Sequence, residues 1–202
     1  MSIWLADYPL VLASRSPVRH AILRDAGVPA EIVPADVDER GIEQRARVRD
    51  PGEVAALLAR EKASTVAENM PGRLVLGADQ TLALGEMRFS KPVDRAAASA
   101  QLAQMRGRSH ELHTAIALVR DDTVVFEHRE VARLTMRHFT DDFLGAYLDL
   151  MGDAVLSSVG AYQLEKAGIQ LFDRIEGDHF VILGLPLLPL LSCLRRQGLL
   201  AT

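Results

Sequence analysis

The chain has 202 residues, 49% of them hydrophobic and 25% charged, enough to bury a sizeable core as one domain or two small lobes and too apolar for a disordered protein. Its formal net charge of −4 argues against a general nucleic-acid binder or a protein drawn to anionic membranes, while leaving room for a local basic pocket. Cys193 is the single cysteine, which excludes an intramolecular disulfide and a cysteine-built zinc site.

The N-terminal stretch MSIWLADYPLVLA has no basic run ahead of an apolar segment, and Asp7 and Pro9 interrupt it. Neither a signal peptide nor a membrane span is expected, and the protein reads as cytoplasmic. Residues 10–13 predict a strand that breaks into Ser14-Arg15-Ser16 and restarts as a helix over 17–26, with Ser16 as N-cap, Pro17 at the first helical position and Gly27 as the stop. Such a turn aims backbone N–H groups and the positive end of the helix dipole past the end of a strand. The hydroxyls of Ser14 and Ser16 and the guanidinium groups of Arg15 and Arg19 stand close by, a setting that suits phosphate. An ordinary strand-to-helix turn with surface arginines carries the same short pattern.

Residues 31–34 predict a second strand running into the acidic turn DVDER. Asp50-Pro51 opens a long helix to about residue 69, with Asp50 as N-cap and Glu53 completing a capping box. Residues 74–84 predict a strand and 94–105 a helix; 110–119 and 123–138 predict long antiparallel strands joined at Asp121-Asp122. Thr140 caps a helix to residue 151. Shorter strands are expected around 161–164, 170–175 and 179–183, before a final helix from near Pro186 into which Cys193 packs. Hairpins and helical crossovers in one chain predict an α/β fold with a mixed sheet.

Three charged residues need explaining. Asp79 lies in the middle of LVLGADQTLAL, on the strand face shared with Val75, Gly77, Thr81 and Ala83. A buried carboxylate needs a cation, a metal or several donors, and the small Gly77 and Ala78 would leave room for a ligand. The plain alternative is a strand-end aspartate paired with a nearby arginine. Lys62 falls on the apolar helical row of Val54, Leu58 and Val66, although a lysine there also reaches solvent by snorkelling. Lys91, in the turn SKPVD before a helix, is less telling, since a lysine ahead of a helix is usually at the surface. Asp38 and Glu39 would simply face water on their own. Taken together, a phosphate-suited turn, two lysines and carboxylates in separate segments make a site for a polyphosphate with a hard divalent cation, and so for phosphate-ester or phosphoanhydride chemistry.

Seven stretches in order, LASRSPVRHAIL, DVDE, LLAREKA, LVLGADQT, SKPVDRAAASAQLAQMRGRSHELHTAIAL, GAYQLE and IEGDHFVILGLPLLPLL, resemble the Maf (septum-formation) family of nucleoside triphosphate pyrophosphatases. The resemblance implies one catalytic domain over 1–202. It implies hydrolysis between the α- and β-phosphates with Mg2+ or Mn2+, and a mixed α/β fold with an elongated central sheet flanked by helices. Two lobes around a cleft, similar to the inosine-triphosphate pyrophosphatases, belong to the same expectation. Carried over by position, Ser14, Ser16 and Arg19 would hold phosphates, Glu39 and Asp79 would serve the metal and water, and Lys62 and Lys91 would neutralise the triphosphate. Asp79 would be the proton acceptor.

Departures from the commonest pattern bear on the substrate. Val18 replaces the first arginine after Ser-Pro, Gln80 stands where threonine is usual, and Glu165 aligns with the glutamine of the family's Ile-Gln-Gly motif. All three resemble the branch acting on 7-methyl-GTP, whereas GAYQLEK itself and Ser90 before Lys91-Pro92 differ from it. The expected substrate is therefore 7-methyl-GTP, with dTTP or UTP as the alternative within the family. A non-catalytic regulator of cell division would need the fold without Asp79, Lys62 and Lys91 together. A kinase is disfavoured by the missing GxxxxGK[ST] loop. A homodimer is usual in the resembled family, and the apolar tail GLPLLPLL would supply packing surface; no nucleic-acid or membrane partner is expected.

Overall fold

Three strands of this chain are about twice the usual length: β3 (Leu74–Leu84), β5 (Ser109–Arg120) and β6 (Thr123–Met136) run for 11, 12 and 14 residues. In a computed structural model, which describes residues 3–202, each of them contributes to two compact units. One unit comprises the chain up to residue 80 with 114–130 and 179–202; the other comprises 81–113 and 131–178. Short strands β1 (Leu10–Leu12), β2 (Ala30–Ile32), β4 (Met87–Phe89) and β7 (Phe172–Glu176) complete a seven-stranded sheet in the order β2-β1-β3-β5-β6-β7, with β4 on β3. β1 lies parallel to both neighbours, with Val11 opposite Val75 and Leu12 opposite Leu76, whereas β3–β4 and β6–β7 are antiparallel. The sheet is mixed, as hairpins combined with crossovers require.

In the first unit the strand period of two separates two cores. Leu10, Leu12, Leu74, Leu76, Ile116 and Leu118 face α1 (Pro17–Asp25) and α7 (Leu187–Arg196). Val11, Val75, Ala115, Ala117 and Val119 face α3 (Pro51–Ala67). The α3 side is built from small residues, with Ala55, Ala59, Ala63 and Ala67 recurring every four positions along the helix. That alanine row lets the helix axis come close, and Gly77 of β3 takes the closest approach: a Cβ there would collide with the Ala59 carbonyl oxygen and sit 2.8 Å from the Ala63 nitrogen. Gly77 thus admits a helix backbone, and the room ascribed to it for a ligand is filled.

The helix starts follow the sequence closely. Ser16 Oγ accepts the Arg19 N–H, Asp50 Oδ1 the Glu53 N–H, Asp94 Oδ1 the Ala97 N–H of α4 (Arg95–Met105), and Thr140 Oγ1 the Phe143 N–H of α5 (Asp141–Met151). Three features differ. The acidic turn continues into α2 (Glu39–Ala46), capped by Asp38, so Glu39 opens a helix and is no loop residue. This helix buries none of its residues, so no apolar period announced it. The expected strand at 161–164 is a 3-10 turn followed by irregular chain, because Gly160 and Ala161 take left-handed φ values of +79° and +60°. The apolar run at 179–183 is a short helix, α6 (His179–Ile182); a run of that length reads alike as strand or buried helix.

Cys193 is buried in α7, as expected. The leucines of the C-terminal tail mostly serve this unit's own core: Leu185, Leu187 and Leu190 are buried, and Leu188 is exposed. Among the described residues no helix is long and apolar enough to cross a membrane.

The second unit closes α4 and α5 over buried Leu102, Met105, Leu134, Met136, Leu144 and Leu171. His110 lies in it at 1% exposure, with Nε2 and the Tyr162 hydroxyl hydrogen-bonded at 2.7 Å and the ring of Phe172 alongside. Burial pushes the His110 pKa down to about 4.

Gly77→Ala should force α3 off the sheet and cost about 3 kcal/mol, a fall of roughly 6–12 °C in Tm by calorimetry; an unchanged Tm would refute the close approach. His110 stays neutral when folded but takes up a proton when unfolded below about pH 6.5. Its contribution is thus complete above that value and is lost as pH falls towards 4, about 2 kcal/mol by pH 5. Urea denaturation at pH 7 and pH 5 should show this loss in the wild type and a markedly smaller one in His110→Gln.

Candidate active site

Asp79 follows Gly77 by two residues, so it shares the strand face that α3 covers and is carried to the helix by the same close approach. Lys62 lies one residue before Ala63 on α3 and meets it there: Lys62 Nζ donates to Asp79 Oδ1 at 2.5 Å. The same Nζ lies 2.7 Å from Glu39 Oε1 at the start of α2. The side chains of Lys62 and Asp79 are 13% and 12% exposed and that of Glu39 51%, so one carboxylate is sealed and the other faces solvent. The snorkelling alternative for Lys62 is not what the helix uses, and the buried aspartate has its partner.

Arg19 holds the strand-to-helix turn onto this cluster. Its Nε donates to the Gly184 carbonyl at 2.7 Å, and its Nη1 to the Ala78 carbonyl at 2.9 Å and to Ser14 Oγ at 3.2 Å. Ser14 Oγ also accepts the Ser16 N–H at 3.2 Å. The guanidinium stands within electrostatic reach of both Asp79 and Glu39; burial pulls its pKa below the ordinary value and the two carboxylates oppose that pull. Burial likewise raises the Asp79 carboxyl above the usual carboxylate range, against the opposing charges of Lys62 and Arg19. Desolvation therefore outweighs the ion pair at Asp79. A carboxylate so raised is a better proton acceptor than a solvated one.

The first unit thus brings together Ser14, Ser16, Arg19, Glu39, Lys62 and Asp79. Arg15 is exposed, 3.9 Å from Asp36. Val18 packs against the α1 core, and Gln80, next to Asp79 on the strand, points to the opposite face. Its amide nitrogen donates to Thr114 Oγ1 at 2.8 Å and to the carbonyls of Val181 and Ile182 at 3.0 and 3.1 Å, which satisfies carbonyls at the end of α6. Thr114 adds a bond of 2.9 Å to the Val181 carbonyl; nothing in the sequence singled this residue out, although a threonine in an apolar strand opposite a glutamine is the signal that was there. Lys91 and Glu165 are exposed residues of the second unit.

Two carboxylates meeting at one ammonium nitrogen are hard oxygen donors in a place already built for a cation. Among the described residues no group of three or more His, Cys, Asp and Glu side chains comes together. Glu39 and Asp79 fit a hard divalent ion of the kind that takes one or two protein carboxylates and completes its shell from phosphate and water.

The chain is 59% identical over 201 residues to the "Nucleoside triphosphate pyrophosphatase" of Rhodopseudomonas palustris (strain BisB18), covering 100% of both chains. It is 51% identical over 193 residues to the "7-methyl-GTP pyrophosphatase" of Mesorhizobium japonicum, covering 94% of this chain and 96% of that one. Among solved structures it is similar to a HAM1 protein from Coxiella burnetii at a TM-score of 0.42 and 19% identity, over 63% of this chain and 72% of that chain. The sequence model of the Maf-like proteins matches residues 9–197, and the chain belongs to that family.

Proposed function

We propose that this protein hydrolyses nucleoside triphosphates to the nucleoside monophosphate and pyrophosphate, with a preference for 7-methyl-GTP. The observation that carries the reaction is the pair of carboxylates, Asp79 and Glu39, gathered on Lys62 beside the Ser14–Arg19 turn. The names of the relatives support it. We place the enzyme in the cytoplasm as one catalytic domain over 1–202 and a homodimer, acting on free nucleotides without a nucleic-acid or membrane partner.

In this reading the Ser14 and Ser16 hydroxyls and the N-terminus of α1 bind phosphate oxygens, and Arg19 keeps that turn in register with β3. Lys62 and Lys91 offset the triphosphate charge. Glu39 and Asp79 would hold Mg2+ or Mn2+, which when bound supplies charge neutralisation and acidifies water. Asp79 takes the proton of the attacking water, whose oxygen bonds to the α-phosphorus as the bond to the bridging oxygen breaks and pyrophosphate leaves with that electron pair. The six residues of the first unit carry two positive and two negative formal charges, so the site is neutral before substrate arrives.

Base choice rests on Glu165. A carboxylate only accepts hydrogen bonds, and guanine offers two adjacent donors, N1–H and the 2-amino group, whereas uracil and thymine set N3–H between carbonyl oxygens that a glutamate repels. Val18 packs partly buried against the core and Gln80 is hydrogen-bonded to Thr114 and the end of α6, and the absence of an arginine at position 18 removes a charge that would oppose a cationic 7-methylguanine.

With Mg2+ or Mn2+ present, purified protein should release pyrophosphate as its first product. EDTA should stop turnover, and Asp79→Asn should lower kcat roughly a hundredfold or more. Because the Asp79 pKa is raised by folding, its charge costs stability at neutral pH, so the same variant should melt no lower than wild type by calorimetry. Orthophosphate as first product, or near wild-type turnover in Asp79→Asn, would refute the assignment. On substrate, kcat/KM for 7-methyl-GTP should exceed that for dTTP and UTP by about tenfold or more, and Glu165→Gln should narrow the ratio. Equal or better values for the pyrimidine nucleotides in the wild type would refute the preference.

A further inference from the structure

Hydrolysis of the anhydride makes no use of the unusual restraint placed on the chain just before Glu165. Ala161 takes φ +60°, a left-handed conformation that a residue with a Cβ adopts at a cost. Tyr147 Oη donates to its carbonyl at 3.2 Å, and Ser158 Oγ donates to the next carbonyl, that of Tyr162, at 2.6 Å. The Tyr162 hydroxyl and His110 Nε2 are hydrogen-bonded at 2.7 Å inside the core, and the Tyr162 ring stands edge-on to Phe172 at 4.9 Å. Gly160, at φ +79°, leaves space that the Tyr162 ring and Leu82 occupy.

The chain then turns back on itself. The Lys166 N–H donates to the Gln163 carbonyl at 3.1 Å, which makes Glu165 the third residue of a four-residue turn and leaves its side chain exposed. The far end is fixed as well: Gly168 lies against the Gln163 backbone, where a Cβ would collide with the Gln163 carbonyl oxygen. Gln163 Nε2 donates to Ser157 Oγ at 2.7 Å. Burial raises both tyrosine hydroxyls, so they remain protonated donors at any working pH, and the Glu165 charge acts on Tyr147 in the same direction. A solvated surface glutamate requires none of this anchoring. A carboxylate that must meet two donors of a planar base in one orientation does.

We infer that Tyr147 and Tyr162, with His110 behind Tyr162, are positioning residues that hold the 163–166 turn so that Glu165 is set in advance for a base edge with two adjacent N–H donors. This rests on the reading of Glu165 given above and adds what makes that residue selective. Two of its ties run through tyrosine hydroxyls and are independent, one to the backbone of Ala161 and one from the side chain of Tyr162 to His110, so removing either loosens the turn without emptying the core.

The test uses Tyr147→Phe and Tyr162→Phe, which keep the rings and delete one hydroxyl each. Amide hydrogen exchange in 163–168 should quicken by about tenfold in either variant, with exchange in β1 and α3 unchanged. In the same preparations kcat/KM for 7-methyl-GTP and GTP should fall roughly five- to tenfold through KM, with kcat nearly constant and the values for dTTP and UTP within about twofold of wild type. Adding either substitution to Glu165→Gln should cause little further loss of discrimination, since the tyrosines act through Glu165. Unchanged exchange at 163–168 overturns the inference, and so does an equal loss on all four nucleotides, which is what a purely structural role gives. Faster exchange in variants of an enzyme that never favoured guanine overturns the reading of Glu165 and leaves the tyrosines as anchors of the turn.

Discussion

A single ammonium group held between two carboxylates organises this protein's candidate site. Lys62 Nζ touches Asp79 from the sheet and Glu39 from α2, so three elements far apart in the sequence are tied at one nitrogen. The tie has geometric preconditions. A lysine on the sheet-facing side of a helix reaches a strand aspartate at this distance only when helix and sheet are unusually near, and the alanine row of α3 with Gly77 beneath it provides that proximity. It also has a consequence for α2, which buries none of its residues and for which the Glu39–Lys62 pair is the attachment to the site. Asp38 caps this helix locally, and since none of its residues is fully buried, whatever competes for Glu39 or Lys62 bears on the placement of α2.

Much of this was legible in the sequence, and the parts that were not share a cause. The strand-to-helix turn with Ser16 and Pro17, the Asp50-Pro51 start of α3, the full extent of β3 and the hairpin at Asp121-Asp122 each announce themselves through capping chemistry or a clean period. Asp79 and Lys62 stood out because each breaks an apolar pattern, and a broken pattern is a local signal even when its explanation is distant. α2 gave no such signal, since ERGIEQRA has no apolar face to count. The Gly160-Ala161 conformation and the helical form of 179–182 depend on what packs around them, and no window of sequence holds that information.

Adjacent residues of β3 show how a two-residue period divides labour. Asp79 faces α3 and the charged cluster, and Gln80 faces α6, where its amide serves two backbone carbonyls and Thr114. A pair such as Asp-Gln in a motif suggests two residues working on one ligand, and a strand makes that geometrically awkward because neighbours point to opposite sides. Gln80 steadies the short helix that leads to Gly184, whose carbonyl accepts the Arg19 Nε–H.

Two of the buried titratable groups, Asp79 and His110, resolve the cost of burial in opposite ways. Asp79 is surrounded by the cations Lys62 and Arg19, and burial still raises its pKa above the usual carboxylate range. His110 is shifted by burial alone, and its pKa falls to about 4, which keeps it neutral at pH 7. Neutrality is sufficient there, because its contribution is a hydrogen bond to Tyr162 and a ring packed on Phe172. Both groups are buried, and what differs is the company each keeps, counter-charges at Asp79 and a hydroxyl with an aromatic ring at His110, so burial alone does not describe either site.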